Sequence, residues 1–94
     1  MDLKDIRNKI DIIDDQLIEL FKERMKLVND VAAYKREHGL PVLNSQREND
    51  IIARVTEGMD DSMATYAKIW FTTMFECSRS YQNTQNTLKT DTED

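Results

Sequence analysis

One cation interrupts an apolar stripe over the first 38 residues of this sequence, and a second shares its face. Leu3, Ile6, Ile10, Ile13, Leu17, Leu20, Leu27, Val31 and Tyr34 recur in steps of three and four, the spacing of one helical face. Continuing that face four residues past Leu20 gives Arg24. Lys35 follows eleven residues later. Eleven steps of 100° return to within ~20° of the same direction, so the two cations share a face, separated by roughly 16 Å of rise. Val28 and Val31 lie between them. A charge over an apolar wall is expensive unless it is paired. Two such charges invite a bound anion. The plainer reading is that both snorkel to water, or pair with Glu23, Asp30 or acids of a later helix.

Arg7 precedes Lys35 by 28 residues, roughly 42 Å along a helix, and faces about 80° away. The two cannot meet on one small ligand within a chain. In an antiparallel dimer the start of one long helix lies beside the end of the other, and Arg7 would approach Arg24 and Lys35 of its neighbour. Without a dimer, an ion pair with Asp11 or Asp14 is the expected role. Further on, Arg47 and Glu48 fall in the first turn of a second helix, where Glu48 suits the positive end of the dipole and Arg47 does not. Phe71, Phe75, Ser78 and Gln82 then follow in steps of four, three and four, so an apolar face turns polar at its end.

The elements that must carry these residues are helices. Glycine and proline are sparse, at Gly39, Pro41 and Gly58. No breaker falls between Asp2 and His38, with Asp2 as cap and Gly39 as stop, so one long helix is expected there. Its length, roughly 50 Å, exceeds a compact domain of this size, and its stripe calls for a second chain to cover it. Ser45 and Glu48 have the form of a capping box opening a second helix, which should end near Gly58. Asp60, Asp61 or Ser62 caps a third. Its expected core stripe is Met63, Ala67, Trp70, Met74, Cys77 and Tyr81, flanked by Tyr66, Ile69, Phe71 and Phe75. Residues 83–94 read as a polar tail that stays helical for a turn or two and then frays. Residues 1–94 thus form a single all-α domain of three helices, and the chain reads as a stand-alone unit with no room for a fused domain.

Composition excludes several chemistries. Lysine and arginine total 13 against 18 acidic residues, a formal charge of −5, which argues against a nucleic-acid partner. One cysteine and one histidine, Cys77 and His38, cannot assemble a zinc cluster or an intrachain disulfide. Cys77 reads as a core thiol, not a nucleophile. No metal, no cofactor and no membrane span are expected, and the address is cytoplasmic by default.

The residues in hand form a set. In order they are Ile6-Arg7-Asn8-Lys9-Ile10, Asp14-Asp15, Glu23-Arg24, Ala33-Tyr34-Lys35, Pro41-Val42, Arg47-Glu48, Glu76-Cys77-Ser78 and Gln82. From Leu3 to Gln82 the sequence resembles the all-helical class of chorismate mutases. The resemblance implies an intertwined antiparallel homodimer, each chain giving one long and two shorter helices. It implies a site hosted by Arg24, Lys35, Arg47, Glu48, Ser78 and Gln82 and completed by Arg7 of the partner subunit. Arg7 and Arg24 would hold the two carboxylates of chorismate. Lys35 and Gln82 would donate to its ether oxygen, and Arg24, Lys35 and Gln82 would be the catalytic set. Glu48 would accept from the ring hydroxyl, Ser78 would assist one carboxylate, and Arg47 would steady the acidic group and the substrate edge. The reaction is a unimolecular Claisen rearrangement to prephenate, without a cofactor. Asn44 stands where the family often carries aspartate, and keeps only a neutral contact. An isochorismate-pyruvate lyase, with the same helical dimer and cationic pocket, is the nearest alternative. A non-catalytic dimerisation or regulatory module is another.

Overall fold

Asp2 sets the first helix. Its carboxylate accepts from the Asp5 N–H at 2.9 Å, satisfying one of the donors that a helix start leaves open. In the computed structural model, which describes residues 1–93 with side chains through 88, the helix α1 then runs unbroken over Leu3–His38. Gly39 ends it with φ at +64°. The Leu40 N–H reaches back to the Lys35 carbonyl at 2.8 Å, a Schellman-type closure. An added Cβ at Gly39 would meet nothing within 4 Å, so the left-handed backbone is what favours glycine there, not lack of room. Lys35, Arg36 and His38 in the last turn complement the helix dipole.

The second helix, α2, spans Ser45–Val55. Its cap is Asn44, whose Oδ1 accepts from the Arg47 N–H at 3.0 Å. This corrects the expected capping box by one residue. Ser45 is already helical, and asparagine caps as well as serine does. The consequence is functional, because the Glu48 side chain has no capping duty and points elsewhere. α2 stops three residues before Gly58, where Thr56 Oγ1 donates to the Ile52 carbonyl at 2.7 Å. Of the three candidate caps for the third helix, Asp60 takes the role, accepting from the Met63 N–H at 2.8 Å. α3 spans Asp61–Glu93. It carries helical backbone about three turns past Gln82, further than the polar composition suggested.

α3 is the common partner, packing on both α1 and α2. The shared core is small: Val28 and Ala32 of α1, Ile51 of α2 and Phe75 of α3, with Ser78 and Gln82 buried beside them. The α3 face that packs is therefore Phe75-Ser78-Gln82. Half of the stripe expected to be core lies away from it: Trp70 is 66% exposed, and Met63 and Cys77 are exposed as well, while Ala67, Met74 and Tyr81 are half-buried. Both faces have helical spacing, and only one can meet α1 and α2 within the chain.

The shape is long and thin. Its extents are 59 × 27 × 14 Å and its radius of gyration is 17.0 Å, against about 13 Å for a compact domain of 100 residues. The stripe on the first half of α1 is uncovered, from Ile6, Ile10 and Ile13 to Leu20 at 60% exposure. Leu17, Ile18 and Phe21 of α1 face Trp70, Phe71 and Met74 of α3 across an open apolar groove of about 630 Å³. Among the described residues no helix is long and apolar enough to cross a membrane.

Candidate functional site

The polar residues collect where the core ends. A cavity of about 170 Å³ opens between the C-terminal half of α1, the start of α2 and the middle of α3. α1 contributes Arg24, Val28, Val31 and Lys35, one face of one helix, as the spacing of the two cations predicts. The loop and α2 contribute Val42, Asn44, Arg47, Glu48 and Ile51. α3 contributes Phe75, Arg79 and Gln82. Six of the residues singled out in the sequence, Arg24, Lys35, Asn44, Arg47, Glu48 and Gln82, thus line one space. The larger groove between α1 and α3 is mostly apolar, and Asp14 and Arg24 are the charged groups on its wall.

Arg24 is the best defined of the set. Its Nη1 donates to Ser78 Oγ at 2.8 Å, and Ser78 Oγ in turn donates to the Met74 carbonyl at 2.9 Å. Ser78 does not line the cavity; it holds the guanidinium that does. No carboxylate pairs with Arg24 among the described residues, so Glu23 and Asp30 do not neutralise it. Burial, and then the neighbouring Arg47 guanidinium, hold the Arg24 pKa below its ordinary value. The folded chain therefore keeps a cation where its charge is disfavoured. An anion in the cavity would offset both effects by its opposite charge.

Lys35 donates from Nζ to the Val42 carbonyl at 2.7 Å, which ties the loop to α1 and leaves two of its three donors. Asn44 has its Oδ1 engaged in the α2 cap, so the amide Nδ2 is what it can offer a ligand. Gln82 is 6% exposed and its Oε1 has no hydrogen-bond partner. A buried amide oxygen without a partner is costly. A half-turn about χ3 exchanges it for the NH2 group in the same volume, so this end can accept or donate.

Arg7 is not in the cavity. It lies on the exposed first half of α1, 17 residues before Arg24 and so about 25 Å away along the helix. It makes no ion pair with Asp11 or Asp14, the expected alternative. Arg79 was not singled out in the sequence, yet it lines the cavity and pairs through Nη1 with Glu48 Oε2. Its spacing carried the signal, four residues after Phe75 and three before Gln82 on the same face.

Known proteins resemble this chain over about half its length. The T-protein of Haemophilus influenzae is 48% identical over 46 residues, which cover 49% of this chain and 12% of that protein. The chorismate mutase of Methanocaldococcus jannaschii is 42% identical over 53 residues, 56% of this chain and 54% of that one. The bifunctional chorismate mutase/prephenate dehydratase of Aquifex aeolicus is 33% identical over 54 residues, 57% of this chain and 15% of that one. The matches thus span from about an eighth to about half the length of these relatives. No solved structure matches the chain significantly. The family model for chorismate mutase type II matches residues 6–83, a stretch that takes in every cavity-lining residue, together with Arg7 and Ser78. With three helices, no strand among the described residues and that match across them, the chain belongs to the all-helical, type II chorismate mutase family.

Proposed function

We propose that this protein converts chorismate to prephenate, and that it does so as an antiparallel homodimer. The observation that carries the reading is the state of Arg24: a partly buried guanidinium held by a neutral hydroxyl, beside Arg47, with no carboxylate partner among the described residues. Such a cation suits a ligand that brings its own negative charge. Chorismate brings two carboxylates.

The chemistry follows from the side chains. Arg24 and Arg7 of the partner subunit each present a planar fork to one carboxylate. Fixing both ends holds the enolpyruvyl arm over the ring, turning a rare conformer into the bound one. As the C–O bond lengthens, negative charge grows on the ether oxygen. Lys35, with two donors in hand, and the Gln82 amide supply hydrogen bonds there. Donors fixed in advance cost no reorganisation when the charge develops, and each is worth on the order of 3 kcal/mol. Glu48 accepts from the ring hydroxyl, and Arg47 adds positive potential at the rim. Ser78 acts through Arg24. No proton is transferred and no covalent intermediate forms, so none of these residues has to titrate.

The dimer is supported by what one chain leaves uncovered. The apolar stripe of α1 and the groove beside Trp70 and Phe71 offer a continuous surface for a second copy. Arg7 makes no ion pair among the described residues and lies about 25 Å along the helix from Arg24 of its own cavity. An antiparallel partner brings it to the other cavity.

The test is a spectroscopic assay of purified protein with chorismate, following its disappearance and identifying the product. Prephenate, with formation reduced by orders of magnitude in Lys35→Ala, supports the reading. Pyruvate release from isochorismate with no prephenate from chorismate would replace it with the lyase. No turnover of either substrate by a folded dimer would leave a binding module.

A further inference from the structure

Glu48 is the one carboxylate among the described residues that line the cavity, and Arg24, Lys35, Arg47 and Arg79 line it with four cations. A glutamate in the first turn of a short helix has free rotation along its side chain. Left to itself, it would fold onto the nearest cation and cancel the charge that a dianion needs. Here the cation it pairs with is Arg79, not Arg24, Lys35 or Arg47. Arg79, reaching from α3, donates through Nη1 to Glu48 Oε2. The two side chains are 28% and 25% exposed, so the pair is partly shielded from water and from salt. Arg24 is left on Ser78 and Lys35 on the Val42 carbonyl, both without an acid. Glu48 Oε1 has no partner among the described residues.

We infer that Arg79 is a positioning residue of this site: it sequesters the only acid of the cavity, keeps the cationic clamp unquenched, and presents the second oxygen of Glu48 to the substrate hydroxyl. The inference rests on the dicarboxylate reading above. Arg79 acts through Glu48 and need not touch substrate. Removing it frees Glu48 to compete with the substrate carboxylates for Arg24 and Lys35. Its loss should therefore weaken binding more than it slows chemistry, and removing the Glu48 charge as well should relieve that loss. A merely structural tie between α2 and α3 predicts instead that R79M loses helicity or thermal stability, with no selective rise in KM.

The experiment is a double-mutant cycle on the full chain, with R79M, E48Q and the combined variant assayed for KM and kcat on chorismate. R79M should raise KM roughly tenfold with a smaller change in kcat, because the term lost is carboxylate binding. E48Q should lower kcat and leave KM within about twofold of the parent. In the combined variant KM should return to within about twofold of E48Q. A KM penalty of R79M that persists in the E48Q background, or no rise in KM at all, overturns the inference. If R79M loses helicity by circular dichroism, R79K takes its place in the same cycle. Lysine keeps the charge but not the fork, so its KM rise should be smaller and equally relieved by E48Q. If the unaltered protein turns over no chorismate, the proposed function fails by itself. The same cycle is then read as the affinity for malate by titration calorimetry, where R79M must weaken binding and E48Q must restore it.

Discussion

The Arg24 guanidinium donates to Ser78 Oγ at 2.8 Å, and that hydroxyl donates onward to the Met74 carbonyl at 2.9 Å. A backbone carbonyl on α3 thus orients a cation on α1 through one serine. The relay fixes the guanidinium without neutralising it, which is what a carboxylate ligand requires. Replacing Arg24 by leucine should reduce kcat/KM by about a thousandfold or more, as loss of a charged, bidentate contact worth several kcal/mol would. Stability should hold or rise, since an apolar side chain replaces a desolvated cation that lacks an acid partner. Chorismate turnover and thermal unfolding measured on the same preparation decide both halves. Parallel loss of activity and of several degrees in Tm would mean that Arg24 is structural.

The lowered pKa of Arg24 has a sign that bears on ligand binding. A basic group that holds its proton less tightly when folded costs stability wherever it is charged, and that cost lifts only as pH rises through its folded pKa towards the ordinary value. Across pH 5 to 9 Arg24 stays charged, so pH does not relieve it, but an anion does. Dicarboxylates such as malate or prephenate should raise Tm in proportion to the logarithm of their concentration. At about 100 times Kd the gain is roughly 2.7 kcal/mol. Arg24→Leu should abolish it. An equal rise with uncharged analogues would show that the cavity does not select for charge.

On the proposed reading the Gln82 amide, a donor to the ether oxygen, sets the pH profile. An amide donates at any pH, so activity should stay flat between about pH 5 and 8 while the fold is intact. Gln82→Glu should change that. A carboxyl donates to the ether oxygen only when protonated, and its ordinary pKa of about 4.3 is raised by burial but lowered by nearby cations. Activity of the variant should therefore fall as pH rises through that value and approach the parent on the acid side. A flat profile in Gln82→Glu would remove Gln82 from the ether-oxygen role.

Much of this is legible from spacing, and the rest turns either on local alternatives of equal strength or on which faces meet. Asp2, Gly39 and the common face of Arg24 and Lys35 follow from local rules, and the structure has them as expected. The α2 cap slipped by one because Asn44 and Ser45 are adjacent and cap about equally well. The core face of α3 was misjudged because the helix has two apolar faces at helical spacing. Phe75, Ser78 and Gln82 pack within the chain, while Trp70 and Met63 are left outside. Periodicity says that a face wants cover and does not say what covers it. Arg79 was passed over because an arginine beside a serine on a surface helix looks like solvation. Only the meeting of α2 with α3 shows that it reaches Glu48.

Arg7 supplies the strongest test of the dimer, because it separates the chain that donates from the chain that hosts. Arg7→Ala and Lys35→Ala should each be nearly inactive alone, the first lacking a carboxylate clamp and the second a donor at the ether oxygen. Co-expressed, the two chains form mixed dimers. In a mixed dimer one cavity has Lys35 from the Arg7→Ala chain and Arg7 of the partner subunit, and is intact. The other carries both lesions. With random pairing about half of the dimers are mixed, so about a quarter of the parental activity should return. If Arg7 served its own chain, every Arg7→Ala cavity would lack it whatever the partner, and mixing would restore nothing. Tagging the two variants differently and purifying through both tags raises the expected recovery to about one half, since every dimer then holds one intact site. Activity that fails to rise on tandem purification would place Arg7 outside the site and leave the cavity to be completed by another residue.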